Sequence, residues 1–134
     1  MNYKLYTDGG ARGNPGPGAI GAVILGPKEE VVFELSKYIG ESTNNEAEYR
    51  GVLEGLTACN AKEIKIIDVY VDSELVAKQL NGEYKVKNER LQKLHTKVKE
   101  LETKFSKVSY THIKREKNKR ADALVNEALD QNGF

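Results

Sequence analysis

Residues 3–25 read Tyr3-Lys4-Leu5-Tyr6-Thr7-Asp8-Gly9-Gly10-Ala11-Arg12-Gly13-Asn14-Pro15-Gly16-Pro17-Gly18-Ala19-Ile20-Gly21-Ala22-Val23-Ile24-Leu25. Residues 3–8 form an apolar run that ends in a carboxylate, which predicts a strand. Gly9 to Gly18 reads as a Gly/Pro-rich turn, and Ala19 to Leu25 as a second strand. Gly26-Pro27-Lys28-Glu29 then makes a hairpin connection into a third strand, Val31 to Ile39. Consecutive strands joined in this way fold as an antiparallel meander.

Beyond the meander the period changes. Thr43 opens a helix, with Glu46 three residues on completing a capping box. Glu48, Val52, Gly55 and Cys59 make its inward face, and Gly51 and Gly55 would let it approach a sheet closely. Ile64 to Val71 is a β-branched fourth strand, and Ser73 to Leu80 a short helix ended by Asn81-Gly82. Asn88 caps the next helix, whose Leu91, Leu94, Val98, Leu101 and Phe105 are core rather than coiled-coil positions, because the repeat spans too few turns. Val108 to Ile113 is a fifth strand. Asn118 opens a last helix with Ala121, Leu124, Val125, Ala128 and Leu129 inward. A strand run followed by helix–strand alternation predicts an α/β domain over residues 1–134, a mixed sheet covered by helices.

Charge divides the chain. Residues 1–77 hold seven Lys/Arg against twelve Asp/Glu, whereas residues 78–120 hold fourteen against five. An acidic half beside a basic half suits a cation site next to a polyanion-binding surface, although charge alone favours a solvated lysine-rich helix. The single Cys59 excludes an intrachain disulfide and a thiolate zinc site. Neither a secretion signal nor an apolar run of membrane-spanning length is present, so a cytoplasmic monomer without membrane contact or an obligatory protein partner is expected.

Four acids stand at element ends: Asp8 and Asp72 close strands, while Glu48 and Asp122 lie near helix starts. Brought together, such carboxylates repel and need divalent cations to hold them. An all-oxygen donor set suits Mg²⁺, with Mn²⁺ as a substitute. Gly16-x-Gly18-x-x-Gly21 matches the dinucleotide-binding string, but Pro17 and the strand at Ala19 to Leu25 leave no room for the helix that motif requires.

Residues 7–18, Thr43-Asn44-Asn45-Glu46-Ala47-Glu48, Val71-Asp72-Ser73 and Asn118-Lys119-Arg120-Ala121-Asp122 together strongly resemble type 1 ribonuclease H. The resemblance covers nearly the whole chain in order. It implies a five-stranded mixed sheet with its second strand antiparallel and helices on both faces. It also implies endonucleolytic hydrolysis of the RNA strand of an RNA·DNA hybrid, leaving 5′-phosphate and 3′-hydroxyl ends. Asp8, Glu48, Asp72 and Asp122 match the family's metal-site carboxylates, with Asp8 bridging two Mg²⁺ ions in the substrate complex. Glu48 and Asp72 complete one sphere and Asp122 the other. Such a pair can activate water and stabilise the leaving oxygen. The backbone of Gly9, Gly10 and Ala11 and the side chains of Asn14, Asn44 and Asn45 become candidates for reading 2′-hydroxyls. Thr43 and Asn88 match contacts to a DNA phosphate.

The chain departs from the family in two places. The loop 114–119 lacks the His that many members carry, which leaves Arg115 or Glu116 to take over its role. His112 falls inside the strand pattern, where packing or hydrogen bonding is expected, and His95 falls on the solvent side of its helix. Residues 81–90 are too short for an inserted basic helix, and no separate hybrid-binding domain is expected. Grip is therefore expected from Lys85, Lys87 and Arg90, aided by Lys93, Lys97, Lys114 and Lys117. The alternatives are a non-catalytic nucleic-acid-binding module and a nuclease that also accepts double-stranded RNA.

Overall fold

A computed structural model describes residues 2–134. The meander comprises β1 (Tyr3–Ala11), β2 (Gly16–Leu25) and β3 (Val31–Ser42). It is followed by α1 (Asn44–Ala61), β4 (Ile66–Val71), α2 (Glu74–Leu80), α3 (Glu89–Glu102), β5 (Lys107–His112) and α4 (Lys119–Gln131). The strands form one sheet in the order β3-β2-β1-β4-β5. β2 runs antiparallel to both neighbours, while β1, β4 and β5 are parallel, as the resemblance implies.

Burial explains the strand patterns. Ala19, Ile20, Ala22, Val23 and Ile24 of β2 are all buried, because α1 packs on one face of this strand and α4 on the other. A strand covered on both sides needs an unbroken apolar run. β4 instead alternates, burying Ile67, Val69 and Val71 while Ile66 lies exposed, the period expected of a half-covered strand. The larger core joins β1, β4 and β5 to α1, α2 and α3 around Leu5, Tyr49, Val52, Leu56, Val69 and Val98. A smaller one seats Val125, Ala128 and Leu129 of α4 against Ala19.

The glycine-rich segment departs from the expected turn. Gly9, Gly10 and Ala11 continue β1, and Gly16, Pro17 and Gly18 begin β2, so only residues 12–15 turn. The glycines mainly serve close approach: a Cβ on Gly9 would lie 2.2 Å from the Ala47 carbonyl carbon of α1, and one on Gly51 would lie 2.8 Å from the Asp8 carbonyl oxygen. These contacts draw α1 onto the end of β1.

The helix signals hold at three of four starts. Thr43 and Glu46 form the capping box, with Glu46 N donating to Thr43 Oγ1 and Thr43 N to Glu46 Oε1. Ser73 and Asn88 cap α2 and α3. Asn118 precedes α4 but makes no side-chain cap. Thr43→Ala is expected to lower stability by about 1 kcal/mol, measured by urea denaturation.

Both histidines lie differently from expectation. His95 is half-buried: its Nε2 lies 3.3 Å from the Gln79 carbonyl oxygen and its ring meets Tyr49 edge-on. A helix face read by heptad alone misses this contact with α2. His112 ends β5 exposed, whereas Tyr110, two residues earlier on the same face of the strand, is buried. No helix among the described residues is long and apolar enough to cross a membrane.

Candidate active site

Strand register builds the site. The β1–β4 pairing ends at Tyr6↔Tyr70, so Asp8 and Asp72 each lie two residues past it: Asp72 follows the end of β4, whereas Asp8, expected to close its strand, lies within β1, which runs on to Ala11 beside β2 alone. Ligand sites in α/β sheets lie at the carboxyl ends of the strands. Glu48 comes from the first turns of α1, pinned there by the contact at Gly9. One carboxylate oxygen from each of Asp8, Glu48 and Asp72 lies within 4.8 Å of the others. Asp122, one turn into α4, stands outside that tight group but lines the same cavity of about 520 Å³.

One backbone amide ties two of the acids together: Gly9 N–H is shared between Asp8 Oδ1 at 2.9 Å and Glu48 Oε1 at 3.2 Å. Glu48 Oε2 is buried without a partner. Burial raises Asp8 to about 6, and the Asp72 charge adds to the rise while the Gly9 amide opposes it. Burial also pushes Glu48 well above the usual carboxylate range, with the charges of Asp8 and Asp72 reinforcing it. An orphaned buried carboxylate oxygen within a repelling, oxygen-only set fits a hard divalent cation such as Mg²⁺ or Mn²⁺.

These shifts set the pH dependence. The folded, metal-free chain holds protons on Asp8 and Glu48 that the unfolded chain has already released, so the associated stability is present at low pH. It declines as pH rises through about 6 for Asp8, and Glu48, raised well above the usual carboxylate range, contributes in the same direction. Cation binding requires the deprotonated oxygens. The melting-temperature increment from added Mg²⁺ is therefore expected to grow between about pH 5 and pH 8. Scanning fluorimetry with and without Mg²⁺ checks this, and an increment independent of pH would contradict it.

The expected substrate contacts gather around this cavity. Gly9, Gly10, Ala11, Asn44 and Asn45 line it. Asn44 and Asn45 also line a neighbouring cavity of about 610 Å³ with Asn14, Thr43, Asn88 and Arg90. Asn44 Oδ1 accepts from Ala11 N at 2.9 Å, and Asn14 Oδ1 accepts from Asn44 N at 3.1 Å. The two asparagines thus lock the hairpin to the head of α1 and keep their amide nitrogens for other partners.

In the short loop after β5, Arg115 Nη2 lies 3.3 Å from Asp122 Oδ1 and the side chain borders the cavity. Glu116 is exposed and does not line it. Sequence reasoning missed Arg12, which lines the cavity, pairs with Asp130 at 2.8 Å and donates to Asn126 Oδ1 at 3.2 Å. Its only signal was a cation inside a glycine-rich turn. Asn118 was also missed as more than a cap; its amide nitrogen reaches Asp72.

Residues 6–128 match a family model described as reverse transcriptase-like. The bifunctional protein Rv2228c of Mycobacterium tuberculosis is 40% identical over 131 residues, which cover 97% of this chain; the chain spans 36% of that relative's length. The crystal structure of RNase H1 from Halobacterium salinarum superposes with a TM-score of 0.95 at 40% identity, covering 98% of this chain and 99% of the other. LC11-RNase H1, solved in complex with an RNA/DNA hybrid, gives 0.94 at 42% identity, covering 98% and 99%. With this sheet order, the match over residues 6–128 and acids gathered at the strand ends, the chain belongs to the type 1 ribonuclease H family.

Proposed function

We propose that the chain is a divalent-metal-dependent endonuclease that hydrolyses the RNA strand of RNA·DNA hybrids, leaving 5′-phosphate and 3′-hydroxyl ends. The observation that carries this reading is the meeting of Asp8, Glu48 and Asp72 within 4.8 Å, in a cavity that Asp122 also lines. The hybrid bound to LC11-RNase H1 supports the substrate class. Asp8, Glu48 and Asp72 would hold one ion, and Asp122, with Asp8, would hold a second when substrate is present. Bound Mg²⁺ or Mn²⁺ supplies the charge that activates a water and stabilises the leaving 3′ oxygen.

The remaining residues bind and orient. The glycines at the end of β1 allow a sugar-phosphate chain to approach the backbone beside Asp8. Asn14, Asn44 and Asn45 offer amides to 2′-hydroxyls, the groups that separate RNA from DNA. Thr43 and Asn88, which flank the adjoining cavity, are assigned to a phosphate of the DNA strand. Arg115 is assigned to the anionic phosphate at the rim, in place of the absent loop His. Strand-labelled hybrid, RNA duplex and DNA duplex incubated with Mg²⁺, Mn²⁺ or EDTA test the proposal. RNA-strand cleavage confined to the hybrid and stopped by EDTA is expected; hybrid binding without products would leave a non-catalytic module, and equal cutting of RNA duplex would refute the specificity.

A further inference from the structure

Asn118 heads α4 without capping it. Its amide nitrogen donates instead to the Thr7 carbonyl oxygen at 2.8 Å and to Asp72 Oδ2 at 3.1 Å, and the residue is 2% exposed. A primary amide carries two N–H donors, so these bonds use both. The opposite amide orientation would aim an oxygen at a carbonyl and a carboxylate, so the chemistry of the partners fixes the assignment. The cost is an Oδ1 buried without a partner, an arrangement that ordinarily destabilises a fold. Local helix capping is forgone in favour of a contact between residues far apart in sequence.

The partners give that contact its meaning. Thr7 immediately precedes Asp8 on β1, Asp72 follows β4, and Asn118 lies one helical turn before Asp122. A single side chain therefore joins the three elements that deliver three of the four acids. It occupies Asp72 Oδ2, while no hydrogen bond among the described residues engages Asp72 Oδ1. We infer that Asn118 is the positioning residue of the acidic centre, holding Asp72 in the rotamer that presents Oδ1 to a cation and fixing the start of α4 against the ends of β1 and β4. This inference rests on the metal-binding reading of the site.

The test is Mn²⁺ calorimetry on the full chain, with kcat and KM on hybrid and melting temperature measured in parallel. Asn118→Ala is expected to weaken Mn²⁺ binding about tenfold, as loss of a partner that orients a ligand does, and to lower kcat with KM for hybrid unchanged. Asn118→Ser, which keeps one donor, should fall between and serves if the alanine variant does not fold. Val98→Ala, buried in α3 outside the cavity, should lose melting temperature and keep its Mn²⁺ affinity. In an Asp72→Asn background, Asn118→Ala should add a smaller loss than it does alone, because coupled groups are non-additive and only the Thr7 contact then remains to be lost. Unchanged Mn²⁺ affinity in the Asn118 variants, a matching loss in Val98→Ala, or additive losses in the double variant would overturn the inference with the metal site intact. A wild-type chain that binds no Mn²⁺ would overturn the metal site itself, and the inference with it.

Discussion

Asp8→Asn is expected to abolish hybrid cleavage while making the metal-free protein harder to melt. Both effects come from one carboxylate. Asp8 is buried beside Glu48 and Asp72 and raised to about 6, so holding it ionised at neutral pH opposes folding. An amide of the same shape removes that charge. The raised value corresponds to roughly 1–3 kcal/mol, or a melting temperature higher by about 3–10 °C for a domain of this size. Cleavage should fall by at least about a thousandfold, since the charge stabilisation that bound metal provides is worth several kcal/mol. Paired calorimetric scans in EDTA and single-turnover cleavage assays separate the two effects. Lowered stability would contradict a crowded acidic cluster, and retained cleavage would remove Asp8 from the chemistry.

Gly9→Ala should be among the most disruptive single-atom additions in the chain. The new Cβ would lie 2.2 Å from the Ala47 carbonyl carbon and 2.6 Å from Glu48 N, and both are helix backbone atoms that no rotamer change can move. Relief requires α1 to lift from β1, which carries Glu48 away from Asp8 and breaks the shared Gly9 amide contact. Overpacking at a backbone contact of this kind costs about 3 kcal/mol or more. Gly10→Ala is the matched comparison, because its nearest atom would be the Asn44 side chain at 3.9 Å. Denaturant melts should show a large loss for Gly9→Ala and a loss below about 1 kcal/mol for Gly10→Ala. Similar losses in both would refute the close packing of α1 on β1.

Most of the architecture was legible because each element carried a local signal. β2 needed its unbroken apolar run, Thr43 and Glu46 announced α1, and the stripe from Ala121 to Leu129 announced α4. Asp72, Glu48 and Asp122 were legible because each sits near where an element begins or ends, and Asp8 because it follows an apolar run and precedes two glycines. Less visible was anything set by contact between distant residues. Gly9 to Gly18 read as a turn because glycine signals flexibility and close approach alike, and only the position of α1 distinguishes them. Asn118 read as a cap because the residue type is common there, whereas its partners lie 111 and 46 residues away. His95 read as surface until α2 supplied the Gln79 carbonyl.

The central claim is that Asp8, Glu48 and Asp72 are the seat of a divalent cation. Anomalous diffraction from crystals grown with Mn²⁺ above pH 7 tests it most directly. The account predicts a manganese peak bonded to oxygens of these three side chains, with a second peak beside Asp122 when hybrid is bound. A well-ordered site with no anomalous density among those carboxylates, at a concentration that supports cleavage, would contradict it.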